Sequence, residues 1–285
     1  MGFPFLSLMQ PLYKLTTIMI YLIILAVIFF GLLYYIKKPK STSEATPAVT
    51  ESYRDILLKE VDYYEQLPED EKESFEKRVH MFLNEKKITG IDVEADEHTK
   101  VLVAASAVIP AFAFDDYNYP MIREVLLYSN TFDDSFLHPN REMKQDRISG
   151  MVGSGPLSQV VMLSKPDLIS GFKSKKRHHN VGIHEFTHLL DKTDGVVDGV
   201  PEHLIERKNI DPWLEEMHKE VRKIRAGASD ISPYALTNDA EFLAVASEYF
   251  FVAPSEFKKK HPELLEYLQK IFKQEVSEDG VQPIE

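Results

Sequence analysis

Asn180-Val-Gly-Ile-His184-Glu185-Phe-Thr-His188-Leu-Leu-Asp191 is the stretch whose reading decides the fold. On a helix, residues four apart stand on one face, so the imidazoles of His184 and His188 can grip one metal ion. Glu185, one position round, is then close enough to take a proton from a water held by that ion. Val181, Ile183, Phe186, Leu189 and Leu190 spread apolar residues round most of the segment, as in a helix buried at a domain centre. Two histidines and a glutamate in such a helix are costly to bury without partners, and a metal supplies the partner. Chance produces H-E-x-x-H in a chain of this length and composition on the order of a few per cent of the time, so the surrounding sequence has to support the motif. The alternative is a helix with satisfied core histidines.

The chain has 285 residues, room for one sizeable domain with appendages or for two small domains. Lys plus Arg number 33 against 45 Asp plus Glu, a net charge of −12, which argues against a protein that tracks a phosphate backbone. No nucleic-acid partner is expected. Cysteine is absent, so disulfides, thiol catalysis and thiolate zinc sites are all excluded. Histidine and carboxylate remain as the strong ligands.

Upstream, Leu15 to Ile36 is an uncharged, strongly apolar run. At about 1.5 Å per residue it is long enough to cross a hydrocarbon core of about 30 Å. It is too long for a signal-peptide core, and Tyr34-Tyr35-Ile36-Lys37-Lys38 offers no small-residue cleavage site. Lys37, Lys38 and Lys40 outnumber Lys14 plus the terminal amine, a bias that places the downstream chain in the cytoplasm. The expectation is a single-pass membrane protein that meets the lipid bilayer through residues 15–36. Pro39 to Thr50, rich in Ser, Thr and Pro, reads as a tether.

Within the globular part, Pro68-Glu69-Asp70 opens a helix whose Phe75, Val79, Phe82 and Leu83 form an apolar stripe. Val101 to Phe114 is apolar throughout, and its Ala content and length favour helix over strand. Glu124 to Tyr128 and Gln159 to Ser164 read as strands, with loop and hairpin over the polar Asp133 to Gly155. Lys173 to Arg177 reads as a solvated basic loop. Lys192 to Pro201 is a Gly/Asp/Pro loop, and a further helix is expected from Pro212 to Arg225.

A catalytic zinc site takes three protein ligands and leaves a position for water. Downstream, Asn238-Asp-Ala-Glu241-Phe-Leu-Ala-Val-Ala-Ser-Glu248-Tyr-Phe-Phe251 sets two acids, seven apart, among apolar residues. Glu241 is either the third ligand or the capping-box partner of Asn238. Tyr234 is either a half-buried packing residue or a hydrogen-bond donor to a developing oxyanion. Asp191 and Glu248 are candidate partners of the ligand histidines, or helix-end and surface carboxylates.

Taken together, these blocks resemble the Mlc titration factor A family of zinc-dependent peptidases, whose metal site is similar to that of anthrax lethal factor. The resemblance runs from about Tyr63 to Val276. It includes Phe75-Glu-Lys-Arg-Val-His-Met-Phe-Leu-Asn-Glu-Lys, Val160-Val-Met-Leu-Ser164, the His184–His188 segment, Asp198-Gly-Val-Pro201, Asn238 to Phe251 and His261-Pro-Glu-Leu-Leu-Glu-Tyr-Leu. It implies Zn2+ held by His184, His188 and Glu241, with Glu185 as general base and Tyr234 as transition-state hydrogen-bond donor. It also implies an α+β, predominantly helical zincin-type metallopeptidase domain with a lethal-factor-like active-site core, here preceded by one transmembrane helix. The organisation expected is a flank at 1–14, a transmembrane helix at 15–36, a flexible linker at 37–52, the metallopeptidase domain at 53–276 and a tail at 277–285. Residues 1 to about 50 have no counterpart in the soluble family members.

The expected activity is zinc-dependent hydrolysis of a peptide or protein substrate, with aminopeptidase action as one candidate form. Val160 to Ser164 is the candidate sheet edge for an extended peptide. The alternative is a regulatory binding protein that sequesters a transcriptional repressor or another partner, with zinc mainly structural.

Overall fold

The apolar run after Asp96 builds the centre of the molecule. In the computed structural model, which describes residues 51–115, 117–132, 148–173, 178–277 and 280–284, every residue from Val101 to Ala111 is buried. The expected spanning run at 15–36, its flank and its tether lie outside the described residues, as do 133–147 and 174–177. Among the described residues, no helix is long and apolar enough to cross a membrane.

The elements run α1 (Glu51–Glu60), α2 (Asp62–Glu65), α3 (Glu69–Glu85), β1 (Lys87–Ile91), α4 (Glu97–Ala111), β2 (Glu124–Tyr128), β3 (Gly150–Val152), β4 (Val160–Ser164), α5 (Lys165–Lys173), α6 (Val181–Asp191), α7 (Ile210–Arg225), α8 (Asp239–Val252), α9 (Pro254–Lys260), α10 (Pro262–Phe272), β5 (Gln274–Val276) and β6 (Val281–Pro283). The described part is therefore mostly helical, with one four-stranded mixed sheet and a small C-terminal hairpin.

Helix α3 begins after Pro68 with three acids in its first turn and buries Phe75, Val79 and Phe82, as its apolar spacing predicts. Helix α4 starts earlier than its apolar run because the Asp96 side chain accepts the Thr99 N–H at 2.8 Å, a cap that satisfies a first-turn donor. It packs against α1, α3, α5 and α6. Its contact with α6 is close: a Cβ on Gly182 would collide with the Ser106 hydroxyl.

The sheet order is β1-β2-β4-β3, with β1, β2 and β4 parallel and β3 antiparallel to β4. This corrects the expectation for Val160–Ser164. That strand is paired on both sides, and among the described residues the edge strand beside it is β3. The short β3 lay hidden in sequence because three residues carry no period. Val281–Pro283, within the stretch expected as a tail, pairs with Gln274–Val276 and buries Val281.

Candidate metal centre

Helix α6 starts where Asn180 caps it, its side chain accepting the Ile183 N–H at 3.1 Å. The helix is almost wholly buried. Phe186 seals its inner face edge-on against Phe82 and tilted against Tyr119. From this helix His184 and His188 project towards α8, and their Nε2 atoms lie 3.1 Å apart. Glu241 Oε2, in the first turn of α8, lies 3.0 Å from His184 Nε2 and 3.6 Å from His188 Nε2.

These three donor atoms fit a metal ion. Ligands at about 2.0–2.2 Å from a tetrahedral zinc stand about 3.3–3.5 Å from one another, and the observed triangle has edges of 3.0, 3.1 and 3.6 Å. Among the described residues no other group of three His or acidic side chains is placed to hold a metal. The charge balance agrees. Burial pushes the Glu241 carboxyl up, but the two imidazoles outweigh it and hold the group at about 2. Burial works against charge on His184, and Glu248 and Glu241 on either side more than reverse it. The pocket is built to hold positive charge between imidazole and carboxylate.

Glu241 also shows which part of its capping pattern is used. Asn238 accepts the Glu241 backbone N–H at 2.9 Å, while the Glu241 carboxylate turns to the histidines. The cap involves the backbone, and the side chain belongs to the metal group.

Two turns along the same helix, Glu248 is buried and makes three contacts. Its Oε1 accepts from His184 Nδ1 at 2.7 Å. Its Oε2 accepts from the Asn180 N–H at 2.6 Å and pairs with His179 Nδ1 at 2.5 Å. Proton and carboxylate at Nδ1 leave Nε2 with the lone pair that a metal needs, and fix the ring's orientation. Asp191 does otherwise. Its Oδ2 accepts the Gly199 N–H at 2.8 Å, tying the 192–201 loop back to the helix end, and burial lifts its carboxyl to about 6. Among the described residues, Asp191 Oδ1 and His188 Nδ1 have no hydrogen-bond partner. Gly199 has φ +80 and sits so close to the Asp239 carbonyl that any Cβ would clash, so glycine is required there twice over.

Glu185 is buried beside the metal group, and burial raises its carboxyl above the usual range. Edge strand β3 passes directly over it: a Cβ on Gly150 would lie 2.6 Å from Glu185 Oε1. The sequence placed Gly150 in the polar loop and hairpin expected over Asp133 to Gly155, with no sign of this contact. Tyr234, in the turn Pro233–Leu236, is more than half exposed, with its ring centroid 6.0 Å from that of His184.

Donor set, buried carboxyl and helical architecture together have the form of a metallopeptidase centre. The family model of the glucose-regulated metallo-peptidases M90 matches residues 36–273, and the chain belongs to that family. It is 31% identical over 199 residues to Mlc titration factor A of Escherichia fergusonii, covering 64% of this chain and 71% of the relative. It is 27% identical over 256 residues to Mlc titration factor A of Enterobacter sp., covering 84% and 92%. To an uncharacterized protein of Synechocystis sp. it is 26% identical over 225 residues, covering 76% and 82%.

Proposed function

We propose that the chain is a zinc-dependent peptidase with a zincin-type active site, anchored in a membrane by residues 15–36 with its catalytic domain on the cytoplasmic side. The observation that carries the catalytic reading is the meeting of His184 Nε2, His188 Nε2 and Glu241 Oε2 beside buried Glu185. Zinc held by these three side chains supplies Lewis acidity, lowering the pKa of water and polarising a carbonyl. Glu185 takes the proton of the attacking water and passes it to the leaving amine. Tyr234 donates its phenol O–H to the carbonyl oxygen as charge develops. The free edge of β3 offers main-chain groups to an extended peptide, and its closeness to Glu185 sets the scissile bond near the base. The anchor rests on the length and apolarity of the 15–36 run.

Incubating the zinc-loaded full-length protein with a peptide mixture, with and without chelator, tests the reading. Chelator-sensitive cleavage is expected. Glu185→Gln should keep its zinc and lose hydrolysis by roughly 100- to 10,000-fold. Comparing free with N-blocked peptides separates aminopeptidase from endopeptidase action. Recovery in the membrane fraction only when residues 15–36 are present tests the anchor. The second reading, sequestration of a regulatory partner with zinc mainly structural, draws on the name of the relatives. A zinc-loaded, inert protein would favour it, although a purely structural site has no use for Glu185.

A further inference from the structure

Tyr234 reaches the metal group from a segment that belongs to neither ligand helix, so something has to set its position. Helix α7 ends at Arg225, and the chain turns through Gly227 at φ +68. The segment then runs along the surface to Pro233–Leu236. Ile231 and Ala235 bury themselves on either side of exposed Tyr234. Between them and α7 lies Asp230, the centre of a polar cluster that includes none of His184, His188 and Glu241. Asp230 Oδ1 accepts from His261 Nε2 at 2.8 Å. Its Oδ2 accepts from Lys260 Nζ at 2.6 Å and from the Tyr249 hydroxyl at 2.9 Å. On the other face of the buried His261 ring, Nδ1 stands 3.3 Å from Glu220 Oε1. Those two atoms meet as an ion pair without an aligned hydrogen bond. Glu220 is itself buried and accepts from Lys223 at 2.8 Å. Lys260 also binds Glu256.

We propose that this cluster is a clamp that sets the Tyr234 segment, making Asp230 and His261 positioning residues for peptide hydrolysis although neither touches the metal group. The groups that face His261 are Glu220 and Lys223 of α7, Asp230, Tyr249 of α8, and Glu256 and Lys260 of α9. The hydrogen bonds within the segment, from Ile231 N to Ser229, from Tyr234 N and Ala235 N to Ser232, and from Thr237 to the Tyr234 carbonyl, are short-range turns. Asp230 ties the segment to Tyr249, Lys260 and His261 elsewhere in the fold. Protonated, His261 faces two carboxylates at once. Both carboxylates favour that form and raise its pKa against burial, so the clamp loosens as pH rises and His261 loses its proton.

The inference rests on the peptidase reading of Tyr234, and its test has an arm independent of activity. Asp230→Asn and His261→Gln in the full-length protein should lower kcat about tenfold with KM and zinc affinity changed less than twofold, and should speed amide exchange in residues 228–237 about tenfold. In a Tyr234→Phe background, Asp230→Asn should have little further effect on kcat, because the two act in series. An undiminished kcat in both variants, an equal loss in the Phe background, or a parallel fall in zinc affinity would overturn the clamp. Should both variants unfold, exchange in the wild type decides: protection of 228–237 must fall, relative to α4, as pH rises through the His261 titration, and constant relative protection overturns the proposal. A wild type that binds zinc and cleaves nothing refutes the peptidase reading alone, because the exchange arm still judges the clamp.

Discussion

The two buried histidine–carboxylate clusters use the same residue types for opposite ends. In one, His184 and His188 point two Nε2 atoms at each other, 3.1 Å apart, with the Glu241 carboxylate closing the triangle. In the other, a single histidine, His261, has Glu220 on one nitrogen and Asp230 on the other. Two facing lone pairs and a carboxylate call for a shared cation. A ring with a carboxylate at each nitrogen and no second imidazole turned towards it is satisfied as imidazolium, with one proton on each nitrogen. The difference lies in where the donor atoms converge, not in composition, and it separates a candidate metal site from an ion pair.

The comparison breaks most sharply on metal content. His188→Ala should lose stoichiometric zinc and all measurable hydrolysis, whereas His261→Gln should keep zinc in full; metal analysis of both purified variants checks this. Next in size is stability. Glu220→Ala removes one partner of a buried ion pair and should cost about 3–5 kcal/mol, measured by urea unfolding, with no change in zinc stoichiometry of the folded fraction. Glu248→Gln acts on the other cluster: the ring loses its charged partner at Nδ1, and zinc affinity should fall about 10- to 100-fold in chelator competition.

The smallest effect is on pH dependence. His261 has a folded-state pKa above its ordinary 6.5, because the two carboxylates outweigh burial. Its stabilisation is therefore complete below pH 6.5 and is lost as pH rises through the raised value. Glu220 and Asp230 are held at about 2 against ordinary values of 4.5 and 3.8. Their share is present above those values and is lost as pH falls towards 2. Wild type minus His261→Gln, followed by urea midpoint, should show a stability difference that shrinks as pH rises above 6.5.

Much of this was legible beforehand. The α3 stripe, the buried α4 run and the strands at 124–128 and 160–164 follow from local period and composition, and the structure has them all. The edge role expected for Val160–Ser164 was not legible correctly. Strand order depends on which segments pair, and β3, with three residues, gave no pattern to weigh. Gly150 was visible as a glycine, but its closeness to Glu185 depends on a strand and a helix meeting across the fold. His261 stood in a recognisable block without any sign of its partners, which lie 41 positions upstream at Glu220 and 31 at Asp230.

The sequence alone determined that His184 and His188 share one helix face with Glu185 beside them, because a helical period of 3.6 puts i and i+4 on one face whatever surrounds the helix. It also determined that thiolate could take no part. Only the tertiary structure decided that the Glu241 carboxylate joins those histidines while its backbone takes the cap. The structure likewise decided that Glu248 meets His184 Nδ1 while Asp191 binds the Gly199 N–H. Those residues lie on α8, 57 and 64 positions from His184. Their meeting is fixed by the packing of two buried helices, over a separation that no local rule spans.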